Sequence, residues 1–360
     1  MRLAIVGAGT AGLAAAHSLR DTDAQVTVFE KSRGVSGRAA TRWRDVAGPD
    51  GMLARWRYDH GAQYLSPDAD SRAAAYVREH LGEGLVDMDG AVWPFDDAGT
   101  LRPDDARQDP GPRWTYPDGI AGLGRRLCEG MPDLDLRTQT RVLGLSRDAD
   151  GWAVETDDGA RDDGFDVVLL TAPAPQAAEI VRVGGTHDAL AEALGAVAYR
   201  SQFTVVWGFG REIERPAEVY ALVNRQVGAA NSGGHAVAWL AVESDKRGRA
   251  PEGASILLAQ MSDAWTHAHY DDAKRDVVAA ASEAVTGLWG PLRDPLWTDT
   301  QRWRYSLPNG PLDASARTTA EADGLFVAGD ATAGKGRVHL ALEEGLAAAD
   351  RVRERVERRG

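Results

Sequence analysis

The sequence predicts an α/β fold in two domains: a parallel-sheet domain assembled from three separated segments, and an antiparallel β-rich domain with covering helices. Three observations carry this. The chain opens as strand, glycine turn and helix, "RLAIVGAGTAGLAAAHSLRD". Apolar strands return near Val167–Leu170 and Leu325–Ala328, each running into a short turn. Between those returns, residues 176–305 change texture to four strands separated by turn-rich loops, one amphipathic helical stretch and one more strand.

The bulk properties bound the function. A chain of 360 residues can bury one large or two interleaved cores. Net charge is −13, with four lysines among 41 basic residues. That surface lacks the basic stripe that nucleic-acid binding wants. No apolar run approaches the roughly 18 residues of a membrane span, and the first residues begin a strand, not a signal peptide. The single cysteine, Cys128, allows neither an internal disulfide nor a multi-cysteine metal site. A cytoplasmic protein without membrane or nucleic-acid partners is expected.

The opening element carries the first chemistry. Gly7, Gly9 and Gly12 fit G-x-G-x-x-G, with Ala11 inside the turn. Gly7 permits a tight turn, Gly9 lets a pyrophosphate approach the backbone, and Gly12 lets the helix pack on the strand. The helix N-terminus then offers unpaired N–H groups to phosphate. The second strand, "AQVTVFE", ends on Glu30, 18 residues after Gly12. A carboxylate there accepts ribose hydroxyls and repels a 2′-phosphate. This spacing defines a Rossmann-type dinucleotide site for NAD or FAD.

The stretch "EKSRGVSGR" decides between them. An NAD site needs little beyond the turn and the acid, whereas the longer FAD needs further backbone for its ribityl chain and ring. Gly34 and Gly37 allow close approach, Lys31 and Arg33 add cations, and Arg38 suits a charge-assisted contact to phosphate or flavin. The pattern favours FAD. A later run, "GLFVAGDATAGKGRVHLALEEG", places Gly329-Asp330 after a strand, where a carboxylate meets ribityl or ribose hydroxyls. Arg337 and Val338 then open a helix whose N-terminus stabilises negative charge at a flavin edge.

"GAGTAGLAAA", "EKSRGVSGR" and "YDHGAQYLS" together resemble the amine-oxidase-type flavoproteins, and most closely the bacterial renalase-like oxidases. The resemblance covers essentially the whole chain, strongly at both ends and weakly in the middle. It implies that Val142 brackets adenine, that Gly61, Ala62 and Gln63 run beside the isoalloxazine, and that Tyr64 lies on the substrate side. It also implies that Asn224-Arg225 face the substrate, with Asn224 suited to a carboxamide and Arg225 to a phosphate or the rim. A family histidine on that side falls near Gln260 or Ala259, so its role does not carry over. Two further departures are Ser36, where the family has glycine, and Ala331-Thr332, where it has an aromatic-Cys pair.

The resemblance divides the chain into an FAD-binding domain (1–65, 120–175 and 306–360) and a substrate domain (66–119 and 176–305). The activity it implies is oxidation of 2- or 6-dihydro isomers of NAD(P)H to NAD(P)+, with O2 giving H2O2 and FAD held without a covalent bond. An amine oxidase or carotenoid-type desaturase on the same scaffold is the alternative, and a non-catalytic flavin-holding redox module is a second. Trp265 and Trp303 are candidates for a pocket wall, and His60 for a hydrogen-bonded strand end. His267 and His269 have the reading of surface residues. No metal site and no indispensable acid or base is expected, which suits chemistry done by a flavin.

Overall fold

The structure, a computed structural model, describes residues 1–48, 50–106, 111–215, 218–225 and 234–358. Strand Arg2–Val6 is apolar after its first residue and sits at the centre of a five-stranded parallel sheet. Across the sheet the strands run Leu325–Val327, Val167–Leu170, Arg2–Val6, Gln25–Phe29 and Asp135–Arg137. The three segments expected from sequence thus contribute adjacent strands. Strands buried on both faces read as near-continuous apolar runs, as "VVLL" does.

Each face has its own core. On one side Leu3, Ile5 and Leu169 pack with Leu13, Leu123, Leu342 and Leu346 from three helices, Thr10–Ser18, Gly122–Glu129 and Val338–Glu357. Helix Arg72–His80, from the excursion after Leu65, adds Ala73, Ala74 and Val77 to this same core. On the other side Ala4, Val168 and Leu170 pack against Trp152 and Val154 of a three-stranded antiparallel sheet. That sheet is the Val142–Asp148, Gly151–Thr156 and Arg161–Phe165 meander, with its turn at the Asp-Gly signal.

The second domain is a six-stranded sheet in the order Trp297–Pro308, Tyr199–Phe209, Ser255–Met261, Val237–Val242, Val219–Asn224 and Ala91–Phe95. All pairs are antiparallel except the edge strand Ala91–Phe95, which runs parallel to Val219–Asn224. Helix Lys274–Trp289 covers one face through Val277, Ala281 and Val285. A hairpin, Thr41–Ala47 with Leu53–Asp59, was not foreseen from sequence. Among the described residues no helix is long and apolar enough to cross a membrane.

Candidate functional site

The glycine turn is built as its spacing predicts. Gly7 has φ +112° and donates its N–H to Phe29 O at 2.8 Å. A Cβ at Gly12 would overlap the Gly7 carbonyl oxygen, so only glycine lets this helix close on this turn. A Cβ at Gly9 would meet nothing within 4 Å, because that side of the turn faces open space. Glu30 is buried, and its two oxygens accept the N–H groups of Ala8 and Ser32, each at 2.8 Å. The acid therefore ties the glycine turn to the following loop, with lone pairs left over for hydroxyl donors.

Ser36 stands in the left-handed region at φ 81°. Its N–H donates to Ala8 O at 2.8 Å and its hydroxyl donates to Ala121 O at 3.2 Å. The same oxygen accepts Gly124 N at 2.9 Å. Those bonds offset the strain a non-glycine residue carries there. Gly37 follows at φ +57°, with the Gly9 Cα 3.3 Å from where its Cβ would be. The cation at the end of the loop is already engaged: Arg38 Nη1 donates to Asp330 Oδ2 at 2.6 Å and to the carbonyls of Tyr305 and Ser306. Asp330 Oδ1 accepts the Tyr199 hydroxyl at 2.9 Å.

These pieces line one cavity of about 820 Å3 that runs between the two domains' sheets. At one end lie Val142, Thr140, Ile180 and Lys31, whose Nζ donates to Gln176 at 3.2 Å. The middle is formed by Gly7, Gly9, Ala11, Glu30, Gly37, Arg38, Gly329 and Asp330, with Arg337 and Val338 at a helix N-terminus that no side chain caps. Next come Gly61, Ala62 and Gln63. Ala62 N donates to Arg38 O at 2.9 Å, and a Cβ at Gly61 would strike that same carbonyl oxygen. Beyond them is a chamber walled by Tyr64, Trp239, Trp303, Gln260, Arg225 and Arg113.

Several of the residues proposed from sequence lie off this wall. Gly12 sits beneath the turn, Arg33 is exposed on the loop, and Asn224 turns its amide to Asp97 Oδ1 at 3.0 Å. Arg225 does reach the cavity, and its Nη1 donates to Asp105 O at 2.6 Å. Gln260 donates to Gly61 O at 2.6 Å, so it braces the segment beside the chamber. Trp265 is not at the wall; it packs on Phe203 and His269. His267 is exposed beside Asp263, and His269 bonds Asp272.

His60 is held behind the chamber. It stacks on Trp303 with centroids 5.4 Å apart, and its carbonyl accepts Trp303 Nε1 at 2.8 Å. Burial, helped by Arg42, pushes its pKa down to about 4, so it is neutral at physiological pH. Below Gln63 lies a feature that the sequence did not disclose. Asp59, Glu243, Lys246 and Arg249 form a fully buried set of two acids and two bases. Lys246 Nζ also donates to Gln63 Oε1 at 3.2 Å, joining this cluster to the cavity wall. Two acids face two bases here, and burial raises the Glu243 carboxyl to about 7 against the pull of Lys246 and Arg249.

A two-domain α/β fold with a Rossmann-type glycine turn on an elongated cavity that opens into an aromatic chamber defines the class of protein. Residues 90–353 match the family of flavin containing amine oxidoreductases, and residues 5–80 match an NAD(P)-binding Rossmann-like domain. The first match spans the greater part of the chain, which belongs to that family and is a flavin-containing oxidoreductase. Among solved structures, a putative protoporphyrinogen oxidase from Exiguobacterium sp. 255-15 superposes with TM-score 0.73 at 17% identity, over 100% of this chain and 99% of that one. Putrescine oxidase bound to putrescine gives 0.70 at 15%, over 99% and 100%. Reduced UDP-galactopyranose mutase gives 0.74 at 12%, over 98% and 95%. At these identities the likeness is one of fold, and one fold here serves oxidases and a mutase.

Proposed function

We propose that the chain binds FAD non-covalently and oxidises 2- or 6-dihydro isomers of NAD(P)H to NAD(P)+, with O2 reduced to H2O2. The observation that carries this reading is the composition of the chamber beyond Gln63. The acids on the cavity wall are Glu30, Glu179 and Asp330, all at the cradle, and its lysine is Lys31. The chamber itself offers Tyr64, Trp239 and Trp303 as flat apolar faces, with Arg113 and Arg225 as charges. A protonated amine meets no carboxylate there among the described residues, whereas a dihydropyridine nucleotide meets aromatic faces and partners for its phosphates.

In this reading Glu30 accepts ribose hydroxyls, and the uncapped start of helix Val338–Glu357 favours negative charge. FAD, when bound, supplies a hydride acceptor and a route for two electrons to oxygen. The donor loses a hydride and becomes an aromatic pyridinium, so no side chain needs to remove a proton. The second proton of H2O2 comes from solvent. The protein's task is then to hold the donor ring and exclude competing orientations, and Tyr64, Trp239 and Trp303 do this by packing.

Family membership makes an amine the competing donor. Lys335, close in sequence to Gly336 and Arg337 of the cavity wall, is itself exposed and lies off that wall. Stopped-flow bleaching of the flavin absorbance under nitrogen separates the two readings. The dihydropyridine isomers are expected to bleach it within seconds and amines far more slowly. Bleaching by a primary or secondary amine, with the isomers inert, overturns the proposal.

A further inference from the structure

We infer that Arg113 is an anion anchor that sets the class of electron donor: one carrying a compact carboxylate or phosphoryl group. Taking the chamber as the donor site rests on the function proposed above. The anion site itself stands on the geometry of this one side chain.

Arg113 lies in "GPRWTYP", a stretch that sequence reading passed over. Its backbone is held on both sides: N donates to Asp87 Oδ1 at 3.1 Å and O accepts Met88 N at 2.7 Å. The neighbouring Trp114 pairs with Leu65, which brings Arg113 beside Tyr64 and Ser66 on the chamber wall. The residue is 8% exposed. Its Nη2 donates to Gly90 O at 2.6 Å, and no carboxylate lies within ion-pair reach among the described residues. The Asp87 carboxylate is engaged by the Arg113 backbone N–H through Oδ1.

Buried guanidinium groups are ordinarily paired, since an uncompensated charge is costly away from water. Among the described residues the other buried arginine follows that rule, Arg249 with Asp59 and Glu243, and the half-buried Arg38 likewise pairs with Asp330. Arg113 departs from it while lining a cavity whose adjacent wall is Ala91, Val92, Tyr64 and Trp239. Its planar fork has five donors, and one carbonyl does not satisfy them. Gly90, at φ +96° against Tyr220, fixes that carbonyl and so fixes the fork's aim. An arriving anion completes the set of bonds, and a neutral ligand does not. Arg225, farther along the same wall, adds charge of the same sign.

The test uses the oxidised holoenzyme and calorimetric titration with three probes: nicotinate, nicotinamide mononucleotide and neutral nicotinamide. At least one anionic probe is expected to bind about tenfold to a hundredfold tighter than nicotinamide, the range for a charge-assisted contact. Preference for nicotinate alone assigns a carboxylate, and preference for the mononucleotide alone a phosphoryl group. Arg113→Gln, which can still donate to Gly90 O, is expected to erase the preference while leaving nicotinamide affinity within about twofold. Arg113→Lys retains part of it. Equal affinity for all three probes in the unaltered protein overturns the inference, as does a preference that survives in Arg113→Gln. If the Gln variant does not retain flavin, the unaltered protein and Arg113→Lys decide. Since no turnover is read, inert dihydropyridines would sink the proposed reaction and leave this result standing.

Discussion

Arg38 and Asp330 meet at 2.6 Å across the cofactor cavity, joining the loop after the second strand to the turn after Leu325–Val327. Sequence reading cast both as independent cofactor contacts; they are also each other's counter-ion. Burial works against the guanidinium's charge, yet Asp330 raises the Arg38 pKa overall.

Arg38→Ala is expected to weaken FAD about tenfold to a hundredfold, and Lys31→Ala much less. Truncating Arg38 also leaves Asp330 buried with Tyr199 as its side-chain partner among the described residues, whereas Lys31 loses one bond to Gln176. Fluorescence titration of the apoproteins with FAD checks this. Equal affinities would mean that the loop does not hold the cofactor through Arg38.

The two glycines of the turn should fail differently. Gly9→Ala places its methyl in open space, so thermal stability of the apoprotein should stay within a few degrees while FAD affinity drops at least about tenfold. Gly12→Ala collides with the Gly7 carbonyl and should cost roughly 1–3 kcal/mol of folding stability. Urea unfolding of both apoproteins, paired with FAD titration, distinguishes a lost binding surface from a lost fold.

Acid precipitation should leave the yellow colour in the supernatant. Among the described residues neither a cysteine nor a histidine lines the cavity. Cys128 is partly buried in helix Gly122–Glu129, where burial pushes its thiol up to about 11. Colour that stays with the pellet would reveal a covalent link.

His60 predicts an acid-sensitive window. Its folded pKa of about 4 lies below the unfolded value of 6.5, so the unfolded chain binds the proton first as pH falls. Stability should be unaffected above pH 6.5, decline between there and about 4, and lose on the order of 3 kcal/mol from this group by the end. His17, pushed to about 4 by burial, adds to the same trend. Urea midpoints against pH for the unaltered chain and His60→Gln check this; the variant's slope should be shallower across that window.

The cradle was legible because its constraints are local. Gly7, Gly9, Gly12 and Glu30 act through spacing along one strand-turn-helix-strand unit, and the meander announced itself by alternation and turns. Ser36 was only half legible: its departure from the glycine of the resembled family marked the position, but its positive φ and the hydroxyl's partners at Ala121 and Gly124, from a distant segment, appear only in the structure. Arg113 and the Asp59–Glu243–Lys246–Arg249 cluster were not legible. Their members are ordinary charged residues in turn-rich stretches, and only tertiary pairing brings them under or onto the cavity wall. Asn224 shows the opposite failure, since a motif match located the strand end without fixing which way its amide turns.

The parallel sheet's order bears on biosynthesis. Strand Arg2–Val6 lies between strands made early and late, with Leu325–Val327 completing one edge. Helix Thr10–Ser18 packs on helix Val338–Glu357 so closely that a Cβ at Gly345 would overlap the Ala11 carbonyl. A nascent chain therefore forms its glycine turn locally and pairs its first strand with Gln25–Phe29 early, but helix Val338–Glu357 closes over that face only after more than 300 residues of translation. Such long-range closure is slow and exposes surface to misassembly. Capture of the cofactor is expected only once that distant helix has docked, since Arg337 and Val338 at its start line the cavity.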